Sequence, residues 1–330
     1  MLNENLFENN NEMSSQTEKA FVTLLFFSKE NNKILRVDNF SEVGGMEKGL
    51  FNEEDSVEVA SVASHLEDKN VFLLNESGGK SFYKLIKGIS NMIPKYGKRD
   101  SLKSSVVILN SISQNIDSEI IENLNNKSDV SLLRSLGNIN IFVPADSYET
   151  EYLLKVGEKS FFKNISNGFS YFKLSSYSSY NIFQPDHFIK EGILREYTGM
   201  PEIIHIPKNI DSPFEVAMIS CGPIIHNVLY AAHELEEKNY KVTVLNFSLI
   251  SSNSEYVNQK IKSFIKHFAN QNKNILVVEE QSKVGGLGSL IAETILETKN
   301  EKIIRVERLG IEDDLSPRNI ISKAEEILEL

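Results

Sequence analysis

The stretch Ile275-Leu-Val-Val-Glu-Glu-Gln-Ser-Lys-Val-Gly-Gly-Leu-Gly-Ser289 constrains the fold more than any other. Ile275 to Val278 is a short apolar, β-branched run, the pattern of a buried strand. Gly285, Gly286 and Gly288 follow in a turn, and Ser289 is placed to cap a helix with Leu290, Ile291, Ile295 and Leu296 on its apolar face. Strand, glycine turn and helix in that order make a βα unit. A helix N-terminus behind glycines is also where a phosphate binds. The spacing matches neither GxGxxG nor the P-loop, so a tight βα turn is the plainer reading.

The same rhythm runs along most of the chain. Strands are expected at Ile34 to Val37, Val71 to Leu74, Ser105 to Leu109, Ile139 to Val143 and Phe169 to Leu174. Helices are expected over Ser56 to Leu66, Ser81 to Met92, part of Asp117 to Leu136 with a polar break at Asn125-Asn126, and from Pro144-Ala-Asp146 through Val156. Residues 176–213 interrupt the rhythm with Ser, Tyr and four prolines, Pro185, Pro201, Pro207 and Pro213. Alternation resumes with Val216 to Ser220, a helix from Ile224 to Lys238, Val242 to Asn246, a helix from Glu255 to Asn270, the opening strand, Ile303 to Glu307 and a helix from Pro317 to Leu328. Such alternation predicts an α/β fold: two three-layer α/β/α domains with mainly parallel sheets. The expected divisions are an N-terminal arm over 1–17, a first domain over 18–175, a linker over 176–213 and a second domain over 214–330.

Charge and composition narrow the function. Forty-six acidic and 35 basic side chains give a net charge of −11. With no basic patch to replace phosphate counterions, a nucleic-acid partner is not expected. One cysteine, Cys221, excludes an internal disulfide and CxxC metal sites. No apolar run approaches membrane-span length, and the polar, Asn/Glu-rich start does not read as a signal peptide, so a cytoplasmic location is expected.

Several motifs together resemble a known family. Val216-Ala-Met-Ile-Ser-Cys-Gly222, Lys241-Val-Thr-Val-Leu245, Val278-Glu-Glu280 with Gly285-Gly-Leu-Gly-Ser289, and Arg308-Leu-Gly-Ile311 look like the C-terminal domain of transketolases. That domain also occurs in the β subunits of 2-oxo acid dehydrogenases and in deoxyxylulose-phosphate synthases. Asn138-Ile-Asn-Ile-Phe-Val-Pro-Ala-Asp146, with Glu149, looks like the end of the family's pyrimidine-binding domain. The best fit is the stand-alone C-terminal section of a split transketolase.

That resemblance implies thiamine diphosphate and Mg2+ as cofactors, shared with a partner subunit that carries the pyrophosphate-binding domain. The Gly-Asp-Gly and Asn-Asn signature of that domain is not found here; Asn31-Asn32 and Asn125-Asn126 lack its context. The family's pyrimidine domain presents a glutamate to the aminopyrimidine ring. In Gly49-Leu-Phe-Asn-Glu-Glu-Asp55, counting back from the following helix puts Glu54 there, with Glu53 beside it; counting forward from Gly49 puts Asn52 there. The plainer reading of these acids is a first helical turn favoured by the helix dipole. The family's ring-stacking aromatics are missing from Asn75-Glu-Ser-Gly-Gly79; Phe82 and Tyr83 are the nearest substitutes, or else pack the helix core. The region Ser111 to Lys127 lacks the family's substrate-binding histidine. The implied activity is transfer of a two-carbon ketol unit between sugars, in a heterotetramer formed with the partner and by self-association as a dimer. Alternatives are a catalytically degenerate assembly or regulatory subunit, and a 2-oxo acid dehydrogenase β-like subunit, which would call for an acyltransferase partner.

Other polar residues have plain readings. His226 fits a capped or surface histidine at the start of its helix. His233 lies on roughly the same face, and no carboxylate or cysteine partner suggests a metal site there. Glu279-Glu280 could share a proton, or be structural. Cys221 could have a lowered pKa at a helix N-terminus, or be a small buried turn residue. Ser251 to Ser254 reads as a polar loop without a nucleophile motif.

Overall fold

The computed structural model describes residues 14–17, 19–20, 23, 34–38, 70–77, 86–92, 106–112, 119–156, 168–175, 178–184, 186–190, 193–207, 214–271, 274–297 and 303–329. Two sheets organise them. In chain order the strands are β1 Ser14–Ser15, β2 Ile34–Asp38, β3 Asn70–Ser77, β4 Val106–Ile112, β5 Ile139–Phe142, β6 Phe169–Ser175, β7 Ser178–Ser179, β8 Ile189–Lys190, β9 Ile193–Leu194, β10 Glu202–His205, β11 Val216–Cys221, β12 Val242–Asn246, β13 Leu249–Ser251, β14 Asn274–Glu279 and β15 Arg305–Leu309. The helices are α1 Glu119–Leu136, α2 Ser147–Val156, α3 Ile225–Glu237, α4 Glu255–Gln271, α5 Leu287–Leu296 and α6 Pro317–Glu329; residues 86–92 are helical too.

The first sheet runs β13-β5-β6-β4-β3-β2 and the second β10-β12-β11-β14-β15. Pairing is parallel except at β13 and β10, the antiparallel edges. This is the mainly parallel α/β fold that the alternation predicts. All seven residues of β6 and all four of β5 are buried, as expected for a parallel sheet covered on both faces. Phe142 and Phe172 sit opposite each other in the β5–β6 register and stack with centroids 4.6 Å apart. In the second sheet, α3 buries Ile225, Val228, Leu229, Ala232 and Leu235, one stripe at helical spacing.

Two edge strands depart from the sequence reading. Leu249–Ser251, of which the sequence reading covered only Ser251 as the start of a polar loop, leaves the second sheet's sequence neighbourhood and pairs with β5 of the first sheet. Glu202–His205, in the span read as linker, pairs with β12. Both are short and sit among Ser or Pro residues, so neither shows a strand's period. Helix α1 also runs through Asn125-Asn126 without the expected break, and the last strand lies at Arg305–Leu309 rather than Ile303 to Glu307. The expected helix over Ser56 to Leu66 and most of the expected arm lie outside the described residues. Among the described residues no helix is long and apolar enough to cross a membrane.

Candidate functional site

The carboxyl ends of parallel strands are where α/β proteins place their chemistry. Here the ends of β5, β11 and β12 converge. Val143 N–H donates to Ser248 O at 2.8 Å, Gly222 N–H to Val143 O at 3.2 Å, and Phe247 N–H to Ser220 O at 2.8 Å. Gly222 has φ +77°, and a Cβ there would stand 3.0 Å from Val143, so the seam requires glycine at this position.

A pair of buried carboxyls occupies the seam. Asp146 caps α2: Glu149 N–H donates to its Oδ1 at 2.8 Å, while Ile182 and Phe183 N–H donate to Oδ2 at 2.7 and 2.8 Å. Glu149 reaches back past the cap to accept from Ala145 N–H at 2.6 Å, one residue beyond the reach of a capping box. Its Oε1 accepts from Asn246 Nδ2 at 2.9 Å and from the Ser248 hydroxyl. Burial pushes Asp146 up to about 6 and Glu149 up to about 7, against the pull of these donors. Glu149 therefore ties the start of α2 to the end of β12, while Asp146 ties it to the segment at Ile182 and Phe183.

Beside them lies a second buried network on β4 and β6. Lys173 pairs with Asp129 at 2.9 Å, Tyr171 OH donates to Asp129 at 2.8 Å, and Asn110 Nδ2 donates to Tyr171 OH at 2.8 Å. A charge taken out of water is tolerated only when paired in this way.

The glycine turn has a definite occupant. Glu279, at the end of β14, accepts from Leu287 N–H at 2.6 Å and Gly288 N–H at 2.8 Å. A Cβ at Gly286 would collide with Glu279 Oε2. The N-terminus of α5 is thus filled by the chain's own carboxylate, and the phosphate-binding reading of this turn falls. Burial pushes Glu279 up to about 7, opposed by the two N–H groups and by Lys173 and Arg308. Both carboxylate oxygens of Glu279 are taken by α5 backbone N–H groups, which is the structural reading of Glu279-Glu280, and Glu280 lies beside Gly222.

The remaining candidates resolve plainly. Cys221 is buried, and its thiol donates to Gln281 Oε1 at 3.3 Å. Burial raises its pKa well above the ordinary thiol range, so it is a packed turn residue. His226 stands in the first turn of α3; burial lowers its pKa, and a hydrogen bond with the Tyr180 backbone opposes that. The Ser252 hydroxyl donates to Asn140 Oδ1 at 3.0 Å and locks the end of β13 to β5. His233 has carboxylate and imidazole neighbours that its sequence reading did not find. Glu236 lies one helical turn on, and His205 of β10 joins them. The sequence reading missed this because His205 arrives across 28 residues on an unrecognised edge strand. A cleft of about 400 Å³ near Asn138, Asn253 and Asn258 holds Arg134 and Lys262, but Glu293 and Glu297 pair with these two cations. Glu53, Glu54, Phe82 and Tyr83 lie outside the described residues.

Comparison with known proteins accounts for this architecture. Residues 210–321 match the family model "Transketolase, C-terminal domain". The 1-deoxy-D-xylulose-5-phosphate synthase of Desulfitobacterium hafniense strain DCB-2 is 26% identical over 196 residues, 56% of this chain and 25% of the synthase. A subunit of the apulose-4-phosphate transketolase of Actinobacillus succinogenes is 27% identical over 186 residues, 56% of this chain and 50% of that subunit. The chain thus spans between a quarter and a half of the length of these curated relatives. A split-gene transketolase, solved as an inactive beta4 tetramer, shares the fold with a TM-score of 0.71 and 20% identity, covering 96% of this chain and 98% of that one. The resemblance read from the motifs is borne out, with the C-terminal domain as its firmest part.

Proposed function

We propose that this chain is the C-terminal subunit of a split, thiamine-diphosphate-dependent transketolase-like enzyme that moves a two-carbon ketol unit between sugars. The observation that carries the reading is a transketolase C-terminal domain joined to a six-stranded α/β unit, in a fold shared end to end with a split-gene transketolase. The likeness to a subunit of apulose-4-phosphate transketolase supports it.

When bound, thiamine diphosphate supplies a nucleophilic carbon and an electron sink for breaking a ketose carbon–carbon bond. In this reading Glu54, or Glu53 in the neighbouring register, holds a proton at the aminopyrimidine, and Phe82 and Tyr83 flank that ring. The filled N-terminus of α5 fits a division of labour in which the partner subunit holds the diphosphate and Mg2+.

A second reading, a degenerate assembly subunit, is favoured by one sequence observation: the stretch Asn75-Glu-Ser-Gly-Gly79, whose first three residues end β3, carries no aromatic. Reconstitution with a chain carrying the family's pyrophosphate-binding domain separates the two. Ketol transfer that falls at least roughly 100-fold in Glu54→Gln supports the enzymatic reading. Turnover unchanged in both Glu54→Gln and Glu53→Gln would remove these acids from the chemistry.

A further inference from the structure

We propose that His205, His233 and Glu236 form a binding site for a divalent transition-metal ion of the zinc class, where the edge strand β10 meets α3. Their ligand atoms all lie within 4.8 Å of one another. His233 and Glu236 are three residues apart on α3, so both side chains rise from one helical face. His205 ends β10, just past the irregularity in its register with β12, and the Thr243 hydroxyl fixes its backbone carbonyl at 2.9 Å.

The closest contact is the informative one. His205 Nε2 and Glu236 Oε1 are 3.1 Å apart, yet they are not aligned as a hydrogen bond, and both atoms are shielded from solvent. Two buried polar atoms this close without bonding each other are arranged to meet a third group. Zinc takes imidazole nitrogen and carboxylate oxygen at about 2.0–2.2 Å, which puts tetrahedral neighbours roughly 3.3 Å apart. The His205 and His233 rings are near-perpendicular, 79° apart, with centroids at 4.9 Å. Two imidazoles and one carboxylate suit zinc better than calcium or magnesium, which prefer all-oxygen sets. Three protein ligands leave one position for water. A metal here would pin the edge strand β10 to α3, far in sequence from Glu54 and independent of the proposed ketol transfer.

The test uses the full chain, stripped with a chelator and without an affinity tag. Titration with ZnCl2 should give one tight equivalent per chain. His233→Gln and Glu236→Gln should each weaken it at least roughly tenfold, and His205→Ala should abolish it. Circular dichroism checks that each variant folds. X-ray absorption of the zinc-loaded wild type needs no variant, and should show two imidazoles in the first shell. No uptake, uptake unchanged in folded variants, or a first shell without imidazole would overturn the proposal.

Discussion

At the scale of the residue, Glu149 shows how burial and hydrogen bonding compete. Three donors favour its charged form, yet removal from water outweighs them and its pKa rises to about 7, while that of its neighbour Asp146 rises to about 6. Each group binds its proton more tightly in the folded state than in the unfolded one. Stability from the pair is therefore present at low pH and is lost as pH rises, from the ordinary carboxyl values near 3.8 and 4.5 up through about 7. Glu149→Gln should flatten that fall, which urea denaturation on either side of the window measures; an unchanged slope would contradict the assignment. Glu149→Ala also leaves Ala145 N–H and Asn246 Nδ2 without their acceptor, so it should cost about 2–3 kcal/mol at low pH and less as pH rises through about 7. At the glycine turn, Gly286→Ala drives a Cβ against Glu279 and the Ser282 carbonyl, and Glu279→Ala leaves two N–H groups unsatisfied. Both should lower the melting temperature, the second by a loss of about 1–2 kcal/mol. Asp146 and Glu149 were visible in the sequence as part of a motif. Glu149's partner Asn246 was not, because it lies 97 residues away and is recruited only by folding.

At the scale of the element, the interior parallel strands were legible and the edges were not. Buried strands such as Ile139–Phe142 and Val242–Asn246 are mostly apolar and rich in β-branched residues, and their helices carry apolar stripes, so local pattern sufficed. The edges β10 and β13 are four and three residues long. Their stability comes from backbone pairing with a remote strand, which leaves no local period. β13 matters beyond its length, since it fastens the chain of the second sheet to β5 of the first. Leu249 is buried there, and Leu249→Ala should cost about 2–4 kcal/mol. Leu249→Asp, which also places a charge in that packing, should split urea unfolding into two transitions; a single cooperative transition would show that β13 does not couple the sheets.

At the scale of the whole molecule, the buried acids are spent on the frame: Glu149 links α2 to the end of β12, and Asp146 and Glu279 cap helix starts. Asp146, Glu149 and Glu279 all accept backbone N–H groups of the chain itself. In the proposed function the chemistry therefore belongs to the weakly patterned first half and to the face it presents to a partner, while the recognisable second half supplies the frame. This is why the resemblance was readable from Val216 to Ile311 while the acid proposed for the chemistry, Glu54 or Glu53, rested on a register count: framework motifs recur, and a single carboxylate before a helix looks like any first-turn acid. The most direct measurement is ketol transfer by this chain mixed with a chain bearing the family's pyrophosphate-binding domain, with thiamine diphosphate and Mg2+ present. The account predicts turnover in the mixture, none from either chain alone, and loss of turnover in Glu54→Gln with assembly intact. A stable complex that transfers no ketol unit, or chains that do not associate, would contradict it.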